Sequence, residues 1–146
     1  MNYDMEKLYR EVMTDHYKNP RNKGLKGEGN LMHKRNPSCG DDIEVEVLLD
    51  GNKIKEVRHD GKGCLICCSS ASVMCTVLEG KTVDEAKEIS RNFFDMLKGE
   101  DADLDLLDEA SIYQGVSKFP ARIKCAALPW HAFYDNVSGE DNEWST

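Results

Sequence analysis

The hydrophobic pattern changes period along the chain, and each change marks an element. From Asp4 to Lys18, the residues Met5, Leu8, Tyr9, Val12 and Tyr17 fall at helical spacing and form one apolar stripe. Asp4 suits an N-cap. The helix must stop before Asn19-Pro20, because a residue preceding proline avoids the α region. Gly24, Gly27 and Gly29, mixed with Arg21, Lys23 and Lys26, predict a mobile loop. Leu31 to Asn36 is a weak strand. After Asp42 the period becomes two: Ile43, Val45, Val47 and Leu49 alternate with Glu44, Glu46 and Leu48, as in a half-buried strand. Asp50-Gly51-Asn52 is hairpin chemistry, and Lys53 to His59 is the returning strand.

Helical spacing then resumes. Gly61 and Gly63 bracket a turn into Cys64, and the small and apolar residues from Leu65 to Glu79 predict a helix starting near Cys64. Thr82-Val83-Asp84-Glu85 is a capping box. It opens a helix to about Lys98, with Val83, Ala86, Ile89, Phe93, Phe94 and Leu97 on its buried face and Gly99 as its stop. Asp101 to Glu109 reads as a short acidic helix, its charges a solvated face. Cys125 is placed just before a terminal helix that runs to about Asn136, with Pro129 near its first turn. The polar, acidic stretch 137–146 is expected to be a disordered tail.

The totals narrow the class. A chain of 146 residues with 40% hydrophobic and 32% charged residues predicts a single globular domain over 1–146. A net charge of −8 argues against a nucleic-acid partner, which needs a basic face. The first twelve residues are charged throughout, so no secretory leader is expected. No apolar run approaches the roughly 20 residues of a membrane span. A cytoplasmic protein follows as the expectation. There, six cysteines are thiols or metal ligands rather than disulfides.

The chemistry gathers around Asn36-Pro37-Ser38-Cys39-Gly40-Asp41. Cys39 and Asp41 are two apart and can face one point across Gly40, which has no Cβ to limit the backbone. A thiolate and a carboxylate together suit a borderline-soft cation such as Zn²⁺. Two more thiols stand at structural junctions. Cys64 lies at a helix start, where free N–H groups favour a thiolate, and Cys125 lies between Arg122 and Lys124, which would do the same. Cys39, Asp41, Cys64 and Cys125 therefore make a candidate tetrahedral set, although spacing alone also allows each thiol to be simply buried. Cys64-Leu65-Ile66-Cys67 has the form of a redox or zinc motif, but no second such pair accompanies it. Cys67, Cys68 and Cys75 are instead expected to act as small apolar helix residues. His16 is read as a helix-end histidine rather than a ligand.

Four segments in order resemble one family. They are Asp15-His16-Tyr17-Lys18-Asn19-Pro20-Arg21-Asn22-Lys23-Gly24, Asn36 to Asp41, Gly63-Cys64-Leu65-Ile66 with the Ser/Ala run after it, and Arg122-Ile123-Lys124-Cys125-Ala126-Ala127-Leu128. Over about residues 3 to 135 the chain is similar to the U-type iron–sulfur cluster assembly family (IscU/NifU N-terminal). The resemblance implies an α+β fold: an N-terminal helix and a small three-stranded antiparallel sheet with helices packed on one face. Scaffold members carry His before the third cysteine, where this chain has Lys124, and the stretch from Lys98 to Gln114 is long. Both features are similar to the SufU branch.

That branch implies a zinc-dependent sulfur acceptor, sulfurtransferase-like in action, that takes persulfide sulfur from a SufS-type cysteine desulfurase and hands it toward an iron–sulfur scaffold. By the same resemblance the metal ligands are Cys39, Asp41, Cys64 and Cys125, with Cys39 as sulfur acceptor and Cys125 as second choice. The rival readings are a scaffold that builds a [2Fe–2S] cluster on the same ligands, and a structural zinc protein that only binds the desulfurase. Cys67 and Cys68 stand where the branch usually has serine and a polar residue, which leaves a spare thiol near the site.

Overall fold

The computed structural model describes residues 3–144. The order of elements is α1 (Tyr3–Lys18), β1 (Asn30–Asn36), β2 (Asp41–Asp50), β3 (Lys53–Lys62), α2 (Leu65–Leu78), α3 (Val83–Leu97), α4 (Leu104–Leu107), a 3₁₀ segment (Asp108–Lys118) and α5 (Pro120–Ser138). The three strands form an antiparallel meander with β2 in the centre. Ile43, Val45 and Val47 of β2 point into the core, as their alternation requires. The register shifts between Leu48 and Leu49, and beyond that irregularity Leu49 is exposed rather than buried. Helix α5 packs across β1 and β2, and α2 packs on β3 and α5. Helices α1 and α3 and the 3₁₀ segment build outward from α2 and α5. The α+β fold implied by the family resemblance is the fold observed.

Helix α2 can sit at the centre because its buried residues are small. Ser69, Ser70 and Ser72 are fully buried, and each hydroxyl serves another element. Ser69 bonds the Tyr113 hydroxyl (2.6 Å). Ser70 donates to the Ala126 carbonyl (2.7 Å) and accepts from the Trp130 indole (3.0 Å). Ser72 accepts from the Arg21 N–H (2.8 Å) and bonds His16 Nδ1 (2.7 Å). The other ring nitrogen, Nε2, bonds the Glu109 carboxylate. His16 is therefore a buried structural link between α1, α2 and the 3₁₀ segment. Over this layer Phe93 stacks on Trp130 at 4.1 Å.

Three expectations need correction. The glycine-rich loop is tied down, not mobile. Glu46 is buried, and its carboxylate accepts the N–H groups of Lys26 (2.7 Å), Glu28 (3.0 Å) and Gly29 (3.1 Å). Burial alone would raise the Glu46 pKa, but these backbone donors outweigh it and hold the carboxyl below its usual value. Cys125 lies inside α5 rather than before it, because Pro120 starts the helix at its first turn and Pro129 is accommodated in the interior. The stretch expected as a tail packs against the fold over 137–144. Helix α5 continues to Ser138. Trp144 then stacks on His131 (4.1 Å) and donates to Asp135 (3.0 Å), while Lys34 pairs with both Asp135 and Asp141. The last two residues of the expected tail lie outside the described residues.

Candidate metal centre

The first site residues lie on the β1–β2 turn. Asn36 and Asp41 form the last rung of the ladder, so Pro37-Ser38-Cys39-Gly40 is itself the hairpin turn. The Cys39 N–H closes onto the Asn36 carbonyl (3.2 Å), and Gly40 takes a φ of +71°, which L side chains resist. The turn presents Cys39 to solvent and swings Asp41 inward, where it is 1% exposed.

Asp41 meets the start of α2. Its Oδ1 accepts the Cys64 N–H at 2.9 Å. Gly63 makes this approach possible: a Cβ there would stand 2.6 Å from Asp41 Oδ1. The other oxygen, Oδ2, is buried and has no hydrogen-bond partner among the described residues. A buried carboxylate oxygen without a partner is costly. A cation beside it would remove that cost.

Cys125 comes from the second turn of α5 and is 3% exposed. Its sulfur lies 3.2 Å from that of Cys39, and the buried Asn36 amide donates to it at 3.9 Å. Burial is the largest influence raising the Cys125 pKa, followed by the neighbouring Cys39, Asp41 and Cys64. The crowding outweighs the effect anticipated from Arg122 and Lys124, both of which are exposed. The Arg122 guanidinium instead lies over the Phe119 ring at 5.1 Å.

The ligand atoms of Cys39, Asp41 and Cys125 all lie within 4.8 Å of one another, an arrangement that could hold a metal ion. Cys64 borders this cluster without joining it at that distance. Its backbone serves Asp41, its sulfur accepts the Cys67 N–H at 3.4 Å, and it shares a wall with Cys39 and Cys125. Two thiols, a carboxylate with an orphaned oxygen and a third thiol at the edge form a donor set that fits zinc, and thiolates also fit iron–sulfur clusters. From sequence Gly63 is only a turn residue and Asn36 has no role of its own, though both sit inside the motifs that carry the cysteines. From the three cysteines an open groove of about 670 Å³ runs between α1, the 3₁₀ segment and the start of α5. Tyr9, Met13, Ile66, Val116 and Phe119 line it.

The family model for the NifU-like N terminal domain matches residues 8–126. The chain belongs to that family. Among its relatives, the zinc-dependent sulfurtransferase SufU of Bacillus subtilis strain 168 is 44% identical over 142 residues, covering 96% of this chain and 96% of that protein. The iron–sulfur cluster assembly scaffold protein IscU of Streptococcus pyogenes serotype M1 is 35% identical over 136 residues, covering 92% of this chain and 86% of the relative. The crystal structure of a nitrogen-fixing NifU-like protein (N-terminal) from Brucella abortus superposes with a TM-score of 0.82 over 92% of this chain and 94% of that one, at 20% identity. That likeness concerns the fold. In this NifU-like domain the described residues include no helix long and apolar enough to cross a membrane.

Proposed function

We propose that this chain is a zinc-dependent sulfur acceptor that takes sulfane sulfur from the persulfide of a SufS-type cysteine desulfurase, in the cytoplasm, for iron–sulfur cluster assembly. The observation that carries the reading is the contrast within the cluster. Cys39 is exposed on a turn at the mouth of an apolar groove, while Asp41 and Cys125 are buried behind it. The 44% identity to a zinc-dependent sulfurtransferase over 96% of the chain supports it. Cys39, Asp41 and Cys125, with Cys64 completing the set, would hold zinc. Zinc bound there keeps its thiolates deprotonated and shields them from oxidation.

The chain's own residues do the rest. The groove admits the donor's persulfide-bearing segment. The Cys39 thiolate attacks the outer sulfur, the donor's S–S bond breaks, and the donor leaves as a thiolate while Cys39 keeps the persulfide. Cys125 is the second-choice acceptor, held back by burial and by the Asn36 amide. A downstream scaffold then receives the sulfur.

The deciding experiment pairs the full chain with a SufS-type desulfurase and limiting reductant. Metal analysis of anaerobically purified protein should return about one zinc per chain and a colourless sample. Cys39→Ala should stay folded and lose both persulfide labelling and desulfurase stimulation. A brown, iron-loaded protein would favour the scaffold reading. Normal stimulation by Cys39→Ala would move the acceptor role elsewhere.

A further inference from the structure

The first turn of α2 carries chemistry that sulfur acceptance by Cys39 does not use. Cys64 is the N-cap, with extended backbone (φ −69°, ψ 167°), and its sulfur folds over the turn to accept the Cys67 N–H. Cys64 is half-buried and opens onto the groove. Cys67 is 0% exposed and packs in a small satellite core with Ile43, Ala71, Cys125 and Leu128. An accessible thiol at a helix start thus faces the residue that carries a second, sealed thiol three positions on. Reactive Cys-x-x-Cys pairs share that spacing and that helix-end setting. The other α2 cysteines are placed differently. The Cys68 sulfur turns to the Gly63 carbonyl (3.5 Å) and borders a separate cavity with Lys23 and Lys62. Cys75 is buried at the far end of the helix.

We propose that Cys64 and Cys67 form a redox-active dithiol that exchanges with a low-molecular-weight disulfide and thereby withdraws Cys64 from the metal centre. The Cys64 thiolate attacks one sulfur of the small disulfide. That S–S bond breaks, the first small thiol leaves, and a mixed disulfide remains on Cys64. The Cys67 sulfur then attacks the Cys64 sulfur, the mixed bond breaks, and the second small thiol leaves. Two electrons and two protons pass from the protein thiols to the small molecule. Its disulfide is reduced to two thiols, and one protein disulfide forms. A dithiol reductant reverses the exchange. In the oxidised state Cys64 has no thiolate to offer, and Cys39, Asp41 and Cys125 are left as ligands.

The test treats the full chain, stripped of metal with a chelator, with glutathione disulfide. Peptide mapping after alkylation then reads the product. Wild type should end with a Cys64–Cys67 bond and no retained glutathione. Cys67→Ser and Cys67→Ala should stop with glutathione on Cys64, and Cys68→Ser should behave as wild type. Oxidised wild type should lose tight zinc binding and regain it after reduction with dithiothreitol. The proposal fails if wild type keeps glutathione on Cys64, or if Cys64 is never oxidised. It fails equally if the only bond joins Cys39 to Cys125, whose sulfurs are 3.2 Å apart, or if Cys68→Ser blocks closure. Should the Cys67 variants not fold, the wild-type map decides without them.

Discussion

Strand β2 has a turn at each end, and the two turns use similar residues to different ends. Gly51-Asn52 joins β2 to β3 in the shortest way, with Gly51 at φ +62°. Pro37-Ser38-Cys39-Gly40 joins β1 to β2 in four residues, with Gly40 at φ +71°. Both rely on a glycine in the left-handed region. Their surroundings separate them. A Cβ on Gly51 or on Gly40 would meet nothing within 4 Å, so neither turn is crowded locally. Behind the Cys39 turn, however, α2 brings Gly63 and Cys64 against Asp41, and α5 brings Cys125 against Cys39. A hairpin becomes a ligand site when helix ends converge on it.

The largest test of that contrast leaves the turn itself intact. Gly63→Ala should drive a methyl into the Asp41 carboxylate and weaken zinc binding roughly 10–100-fold, as loss of an outer-shell support does. Competition against a chromophoric chelator measures it. If affinity is unchanged, Asp41 is not fixed by the start of α2.

Replacing each turn glycine separates stability from chemistry. Gly40→Ala and Gly51→Ala should each cost about 1–2 kcal/mol of folding stability, because both force an alanine into the left-handed region. Only Gly40→Ala should also reduce zinc affinity. Denaturant unfolding and metal titration of the pair check this, and equal metal loss in both would erase the distinction between the turns.

The smallest effect lies between the turns, at Glu46. Its folded pKa is depressed, so the stability it adds is complete above the unfolded value and is lost as pH falls through the folded one. Wild type should therefore lose stability more steeply than Glu46→Gln below about pH 4.3, in acid unfolding followed by circular dichroism. The loop at Lys26 to Gly29 should loosen first, since the Glu46 carboxylate holds it against the middle of β2.

The plain hairpin, the capping box at Thr82 and the apolar face of α3 were legible because each is a local pattern. The Cys39 turn, which closes the β1–β2 hairpin, carries no such local pattern. Its first strand, Asn30–Asn36, is mostly polar and half-exposed, so period two left little trace. Glu46 occupies a position that alternation assigns to solvent. Only the folded loop supplies the N–H groups that bury it. Pro129 hid the length of α5, and the docking of Trp144 depends on an aromatic partner that no local window contains. The fold brings the side chains of Cys39, Asp41 and Cys125 to one place and leaves Cys64 at its edge. The Cys64 sulfur is engaged by a neighbour in its own helix, a contact that spacing alone suggested only as a formality.

The rung formed by Asn36 and Asp41 has a mechanical meaning. Asn36 reaches Cys125 through its amide, and Asp41 faces the same cluster through its carboxylate, so both strands of the β1–β2 pair are moored at one end. A cation held there would act as a rivet through that end of the ribbon. Unzipping of β1 from β2 would then have to start from Asn30 and Val47, the far rung, and the thiol-bearing end would be the last to come apart.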